Sequence, residues 1–200
     1  TRDDVLGRCL ALQEAGTPGM DDRGIRDNLI GLVIGAVPTI AKAATLALDA
    51  LFDRPEALAG AHRAAASGDA AAFEGYVWEA LRFNPHNPVI YRRAVRDTVI
   101  AESTFRAARI KQGMMVFAAN HSAMFDGLAV EAPQAFRPDR AFTTYIHWGY
   151  GLHRCFGDAI NKAVIPAILM PLVAQTGLER TGPREDAGTP FPQSLPVRFR

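Results

Sequence analysis

The stretch HWGYGLHRCFGDAIN, residues 147–161, carries one of only two cysteines in the chain. Gly149 and Gly151 stand ahead of Cys155, Gly157 follows it, and a helix-like run comes next. Glycines in these places permit positive φ and let the backbone approach a flat object closely. Cys155 lies just before a helix start, where free amides and the helix dipole favour a thiolate. A thiolate calls for a partner, and a soft transition metal suits it. Trp148, Tyr150, Leu152 and Phe156 would wall such a site with apolar surface. Two other readings fit these residues taken alone: an ordinary buried thiol beside a glycine-rich turn, or a zinc site of His147, His153 and Cys155, which would want a fourth ligand.

The chain around this loop has an ordinary composition. Of its 200 residues 48% are hydrophobic and 22% charged, with 22 basic against 21 acidic side chains. That balance gives no footprint for nucleic acid. Two cysteines, Cys9 and Cys155, exclude a disulfide framework and suit a reducing, cytoplasmic compartment. The first residues, TRDDVLGRCLALQEAG, lack the apolar core of a secretory signal. The most apolar runs, residues 29–41 and 163–174, contain proline and fall short of the roughly 20 residues a bilayer crossing needs, so no membrane span is expected. There is no initiator methionine, and the chain reads as a fragment or a processed form.

Helical spacing is expected over residues 2–14, over a long element at 23–52, and over 55–66, 70–83 and 156–174. Asp21 and Asp22 can cap the long element. Gly31, Gly35 and Pro38 sit in its middle, where proline removes a backbone hydrogen bond and kinks a helix. Between residues 89 and 117 the pattern changes to short strand-like runs, VIYRRAV, TVI, STF and MMVFAA. Residues 119–146 look irregular, and LPVRF near the end reads as a short strand. The fold class is mainly α with a minor β region.

Read as W-G-x-G-x-H-x-C-x-G from Trp148 to Gly157, the loop resembles the haem-binding loop of the cytochrome P-450 superfamily, with Trp148 where that family usually has Phe. The resemblance implies haem b bound through Cys155 as the axial thiolate, with His153 contacting a propionate and Gly149 and Gly157 shaping the loop. Three further motifs follow in the family's order. Glu79-x-x-Arg82 matches its buried E-x-x-R pair, with Arg140 in FRPDR as the third member. The run Tyr91 to Asp97 matches R-x-A-x-x-D, implying Arg92 as a second propionate contact and Arg93 as the alternative. FNPHNPVIY corresponds to a substrate-lining stretch, implying His86, Asn87, Val89 or Ile90 at a pocket.

The fourth motif is the centre of the long helix, where the family carries [AG]-G-x-[DE]-T-[TS] on the distal haem face. Aligning Gly35 with the family glycine puts Val37 at the acid and Pro38 at the alcohol. A shift of one puts Pro38 at the acid and Thr39 at the alcohol. Either way the carboxylate is missing. Cleaving dioxygen needs delivered protons, which the acid–alcohol pair organises. Peroxide and hydroperoxides arrive already reduced, so the departure resembles the peroxide-using and hydroperoxide-rearranging branches. The resemblance thus implies a haem-thiolate oxidoreductase with a hydrophobic, fatty-acid-like substrate. A conventional oxygen-dependent monooxygenase fed by a ferredoxin-type partner near Arg154, and a non-catalytic haem-binding remnant, stay open. Family members exceed twice this length, so residues 1–200 are expected to form a single incomplete domain, the C-terminal half of the fold, with the N-terminal half absent. ANHSA (Ala119 to Ala123), where the family often has A-N-R-D, marks a divergent branch.

Overall fold

The computed structural model describes residues 2–200. The chain divides into two compact units, one ending at Lys42 and one comprising Ala43–Arg200. In the first unit, α1 (Val5–Glu14) begins at Asp4, whose carboxylate accepts the Gly7 amide at 2.8 Å. The long helix α2 (Asp22–Phe52) begins in the first unit and ends in the second. Asp21 caps it, accepting the Gly24 amide at 2.7 Å. Proline has no amide to donate, yet α2 runs through Pro38 without interruption. Next to it, the Thr39 hydroxyl donates back to the Gly35 carbonyl and lies 3.2 Å from the Ala36 carbonyl. By length and composition α2 is long and apolar enough to cross a bilayer. The sequence count falls short of that because it stops at each proline and charge, whereas the helix continues past them.

The second unit is built on three mutually packed helices, α3 (Pro55–Ser67), α4 (Ala70–Phe83) and α6 (Asp158–Val173). Pro55 opens α3 at a first-turn position that needs no amide partner, and Gly68 closes it at φ 77°. Asp69 then caps α4 by accepting the Ala72 amide at 3.0 Å. Alanines 57, 61, 64 and 65 form the buried face of α3, and Phe73, Val77, Trp78 and Leu81 that of α4. Ile165, Leu169 and Val173 recur every four residues as the buried stripe of α6.

The strands form nested antiparallel pairs. The outer pair joins β1 (Ile90–Arg93) to β4 (Met115–Ala118), with Ile90 opposite Ala118 and Arg93 opposite Met115. Inside it, β2 (Thr98–Ile100) pairs with β3 (Ala108–Ile110). The run STF, expected as strand, is instead the reversal between β2 and β3. Ala101 and Ser103 take φ of 51° and 65°, and the Thr104 hydroxyl donates to the Ala101 carbonyl at 2.7 Å. A chain that must turn back spends its hydrogen bonds locally. Residues 119–146 contain a four-residue helix, α5 (Asn120–Ala123), and a 3-10 turn at Phe142–Thr144. Near the end β5 (Glu179–Arg180) pairs with β6 (Val197–Arg198), within the expected LPVRF run.

Candidate functional site

The cysteine loop begins at a buried aromatic anchor and ends at the first turn of α6. Gly149 and Gly151 adopt φ of 85° and 67°, a region that L side chains rarely enter. A 3-10 turn at Gly151–His153 follows, and the Cys155 amide then donates to the Trp148 carbonyl at 2.9 Å. The Cys155 carbonyl in turn accepts the Asp158 amide at 3.2 Å, coupling the loop to α6. Cys155 is a free, exposed thiol. Around it Tyr150, Leu152 and Phe156 are 87%, 95% and 86% exposed. Three large apolar side chains left bare beside one thiol form a surface suited to a flat apolar ligand. Arg154 pairs with Asp158 on the same stretch.

A cavity of about 210 Å³ adjoins the loop, lined among others by Ile90, Arg92, Asn120, Gly149 and His153. Arg92 and His153 lie 61 positions apart in the chain and meet here, so two basic groups border the space beside the glycine loop. Arg93 does not line it. Of the pocket candidates Ile90 does, whereas Val89 is half-buried outside it and Asn87 is exposed. Among the described residues no three His, Cys, Asp or Glu side chains converge to hold a metal ion. The zinc alternative drops out, because the His147 ring turns to the Trp78 carbonyl. A lone exposed thiol, an apolar wall, and an arginine and a histidine beside it fit a haem, whose iron takes one sulfur and whose edge carries carboxylates.

Behind the loop lies a buried ionic cluster. Arg82 forks onto Glu79, Nε to Oε2 at 2.9 Å and Nη2 to Oε1 at 2.7 Å, with both side chains fully buried. The same carboxylate also accepts from Arg140 Nε at 3.2 Å, from the Arg137 amide at 2.9 Å and from the Tyr145 hydroxyl at 3.2 Å. The structure thus brings Glu79, Arg82 and Arg140 together. Burial pushes the Glu79 carboxyl up, but the Arg82 fork, the Arg137 amide and Arg140 outweigh it and hold the group below its ordinary value. Burial and the neighbouring Glu79 charge push the Tyr145 phenol well above its usual range.

Tyr145 carried no signal in any spacing rule and His147 entered only as a candidate zinc ligand, yet the two join this cluster to the loop. The His147 ring stacks on Tyr145 (centroids 5.4 Å apart, 14° between planes) and on Trp78 (5.8 Å, 25°). Its Nε2 lies 3.2 Å from the Trp78 carbonyl. A carbonyl only accepts, so Nε2 carries the proton and Nδ1, buried without a partner, is bare. Burial pushes the His147 pKa down to about 3. An unfolded chain takes up this proton near pH 6.5, so it binds more protons than the folded one between pH 6.5 and about 3. Stability therefore holds above pH 6.5 and falls as pH drops through that window, at up to about 1.4 kcal/mol per pH unit. His121, lowered by burial and by the Arg82 charge, adds in the same direction. Glu79 adds its share only as pH falls below its ordinary 4.5. Urea titrations at pH 7, 6 and 5 should show this decline, and His147→Gln should flatten most of it.

The distal candidates Gly35, Val37, Pro38 and Thr39 belong to the first unit, in the middle of α2. Val33, Ile34 and Val37 are exposed on that stretch. The Thr39 hydroxyl donates to the Gly35 carbonyl four residues back, a bond available to a threonine in any helix.

No family model matches the chain. It is 28% identical over 184 residues to the putative cytochrome P450 137 of Mycobacterium tuberculosis, spanning 87% of this chain and 37% of that protein. It is 30% identical over 95 residues to the linoleate diol synthase of Gaeumannomyces graminis, spanning 47% of this chain and 8% of that one. The solved structure of cytochrome P450 CREJ superposes on all of the chain with a TM-score of 0.78 at 22% identity, over 49% of its own length. Over the part of the fold that it spans, the chain is similar in sequence and in fold to cytochrome P450s. The chain spans well under half the length of these curated relatives and about half the length of the solved P450. The P450 match covers α2 in full, so this helix is matched within a P450 fold in spite of its bilayer-spanning length.

Proposed function

We propose that the chain is the C-terminal half of a cytoplasmic haem-thiolate oxidoreductase that oxidises a hydrophobic, fatty-acid-like substrate with peroxide, or rearranges a hydroperoxide. The observation that carries the reading is the exposed Cys155 thiol at the end of a positive-φ glycine loop, with Arg92 and His153 bordering the adjoining cavity. Haem b, when bound, supplies oxidation chemistry at an iron held by the Cys155 sulfur. Arg92 and His153 would donate hydrogen bonds to the carboxylates at its edge. Trp148, Gly149 and Gly157 leave room for a flat ring beside the thiol. The N-terminal half of the fold, on this reading, completes the pocket. Similarity to a linoleate diol synthase and the exposed Val33, Ile34 and Val37 support an apolar, lipid-like substrate.

Proton supply favours the peroxide route. The Thr39 hydroxyl commits its one proton to backbone carbonyls, so its oxygen is left to accept from other groups. Val37 and Pro38 offer neither a carboxylate nor, at Pro38, an amide. A positioned proton donor is worth about 10²–10⁴-fold. With the remaining half of the fold and haem supplied, turnover with an organic hydroperoxide and no reductant should exceed turnover with oxygen, a ferredoxin-type donor and a reductase by on the order of 100-fold. Pro38→Asp should narrow that gap. Equal or faster oxygen-driven turnover in the unmodified protein would establish the second reading, a conventional monooxygenase, which Thr39 at the alcohol position favours.

A further inference from the structure

His147 stands where the ionic cluster and the cysteine loop meet, and its setting is costly for a polar ring. It is 4% exposed, and Nδ1 lies buried with no partner. A phenyl ring would fill the same gap between Tyr145 and Trp78 without burying an unmatched nitrogen. The one thing the imidazole adds is its Nε2–H, which reaches the Trp78 carbonyl on α4 at 3.2 Å. Trp78 lies one residue before Glu79 on that helix, so the bond ties the start of the loop to the helix carrying the buried carboxylate. The next residue, Trp148, packs edge-on against both the His147 ring (5.2 Å, 84°) and the Trp78 ring (4.8 Å, 87°). Its carbonyl then accepts the Cys155 amide at 2.9 Å. The contacts run without a gap from Glu79, through Tyr145 and His147, to Trp148 and Cys155.

We propose that His147 is a positioning residue for Cys155: through its bond to the Trp78 carbonyl it fixes Trp148, and so fixes the carbonyl that holds the Cys155 amide. The assignment rests on the haem-thiolate reading for its functional meaning, but not for its geometry. With His147 in place the sulfur is presented in one orientation before any ligand arrives, which lowers the ordering that binding must accomplish. Without it, Trp148 keeps its ring contact with Trp78 and loses its backbone anchor.

Hydrogen exchange on the chain without haem tests the geometry. In His147→Phe, exchange of the Cys155 amide should rise about tenfold or more, while the α4 amides of Val77 and Leu81 keep their protection. His147→Gln retains a donor long enough to reach the carbonyl and should restore protection. Should the Phe variant fail to fold, His147→Asn, whose donor is too short to reach, takes its place with the same expectation. Unchanged Cys155 protection in the Phe or Asn variant overturns the proposal, as does a loss spread evenly over α4, which would make the role merely structural. Spectra of the reduced, carbon-monoxide-bound protein supply the second readout. The thiolate band should weaken in His147→Phe and survive in His147→Gln. Loop-confined exchange with no thiolate band in any variant, the unmodified protein included, sustains the positioning role and removes the haem reading instead.

Discussion

Cys155→Ser should abolish the strongly red-shifted Soret band of the reduced, carbon-monoxide-bound protein while leaving the polypeptide as stable as before. The two halves of this expectation have separate physical sources. A serine hydroxyl is a hard, weakly acidic oxygen that does not replace a soft thiolate at iron, so the sulfur-dependent spectrum goes entirely. Cys155 is exposed, and what fixes the loop is its backbone: positive φ at Gly149 and Gly151, and the Cys155 amide on the Trp148 carbonyl. Serine satisfies all of these, and exposed substitutions usually change stability by less than about 0.5 kcal/mol. The thermal midpoint of the haem-free chain should therefore stay put, and Cys9→Ser should alter neither readout. A band of unchanged position in Cys155→Ser would show that another residue ligates the iron, and the functional reading would fall with it.

How much of this site could be read from the sequence depended on how local its determinants are. The cysteine loop was legible because thiol chemistry and positive φ admit few residue types, and Cys, Gly149 and Gly151 all stand within seven positions. The limits of α4 were legible because Asp69 and the Asn84-Pro85 pair punctuate it from within the chain. Glu79 and Arg82 were a visible pair for the same reason, three residues apart on one helix. What surrounds them was not. The carbonyls of Met124, Pro133 and Ala135 have no sequence identity, and nothing announces that an irregular segment will deliver them to Arg82. Tyr145 reads as a plain aromatic, and His147 as at most a metal ligand, until α4 is packed behind them. The STF run failed in the opposite way, its strand-like residues being overruled by the need to reverse between β2 and β3. Long-range packing decides these cases, and spacing rules do not see it.

Arg82→Lys, a change that keeps the charge, should destabilise the chain by about 3–5 kcal/mol, the range for breaking a buried pair. Arg82 spends every donor it has. Nε and one Nη2 hydrogen go to Glu79, the other Nη2 hydrogen to Ala135, and the two Nη1 hydrogens to Met124 and Pro133. A guanidinium has five N–H donors in a fixed fork, whereas an ammonium has three and no fork. At least two of the five bonds are then lost, and a buried hydrogen bond from a charged group is worth about 1.5–3 kcal/mol. Lysine also carries a more strongly hydrated charge into a place with no water exposure. Arg140 does not rescue the site, since its own donors are taken by Glu79 and by the Glu131, Ala132 and Ala135 carbonyls. Tyr145→Phe, which removes one donor from a carboxylate with several, should cost only about 1 kcal/mol. Combined with Arg82→Lys its effect should be non-additive, because both act on the Glu79 carboxylate. Urea midpoints for the two single variants and the double variant measure all three quantities. A loss below about 1 kcal/mol in Arg82→Lys would mean that the carbonyls of residues 124–135 are held by something other than this fork.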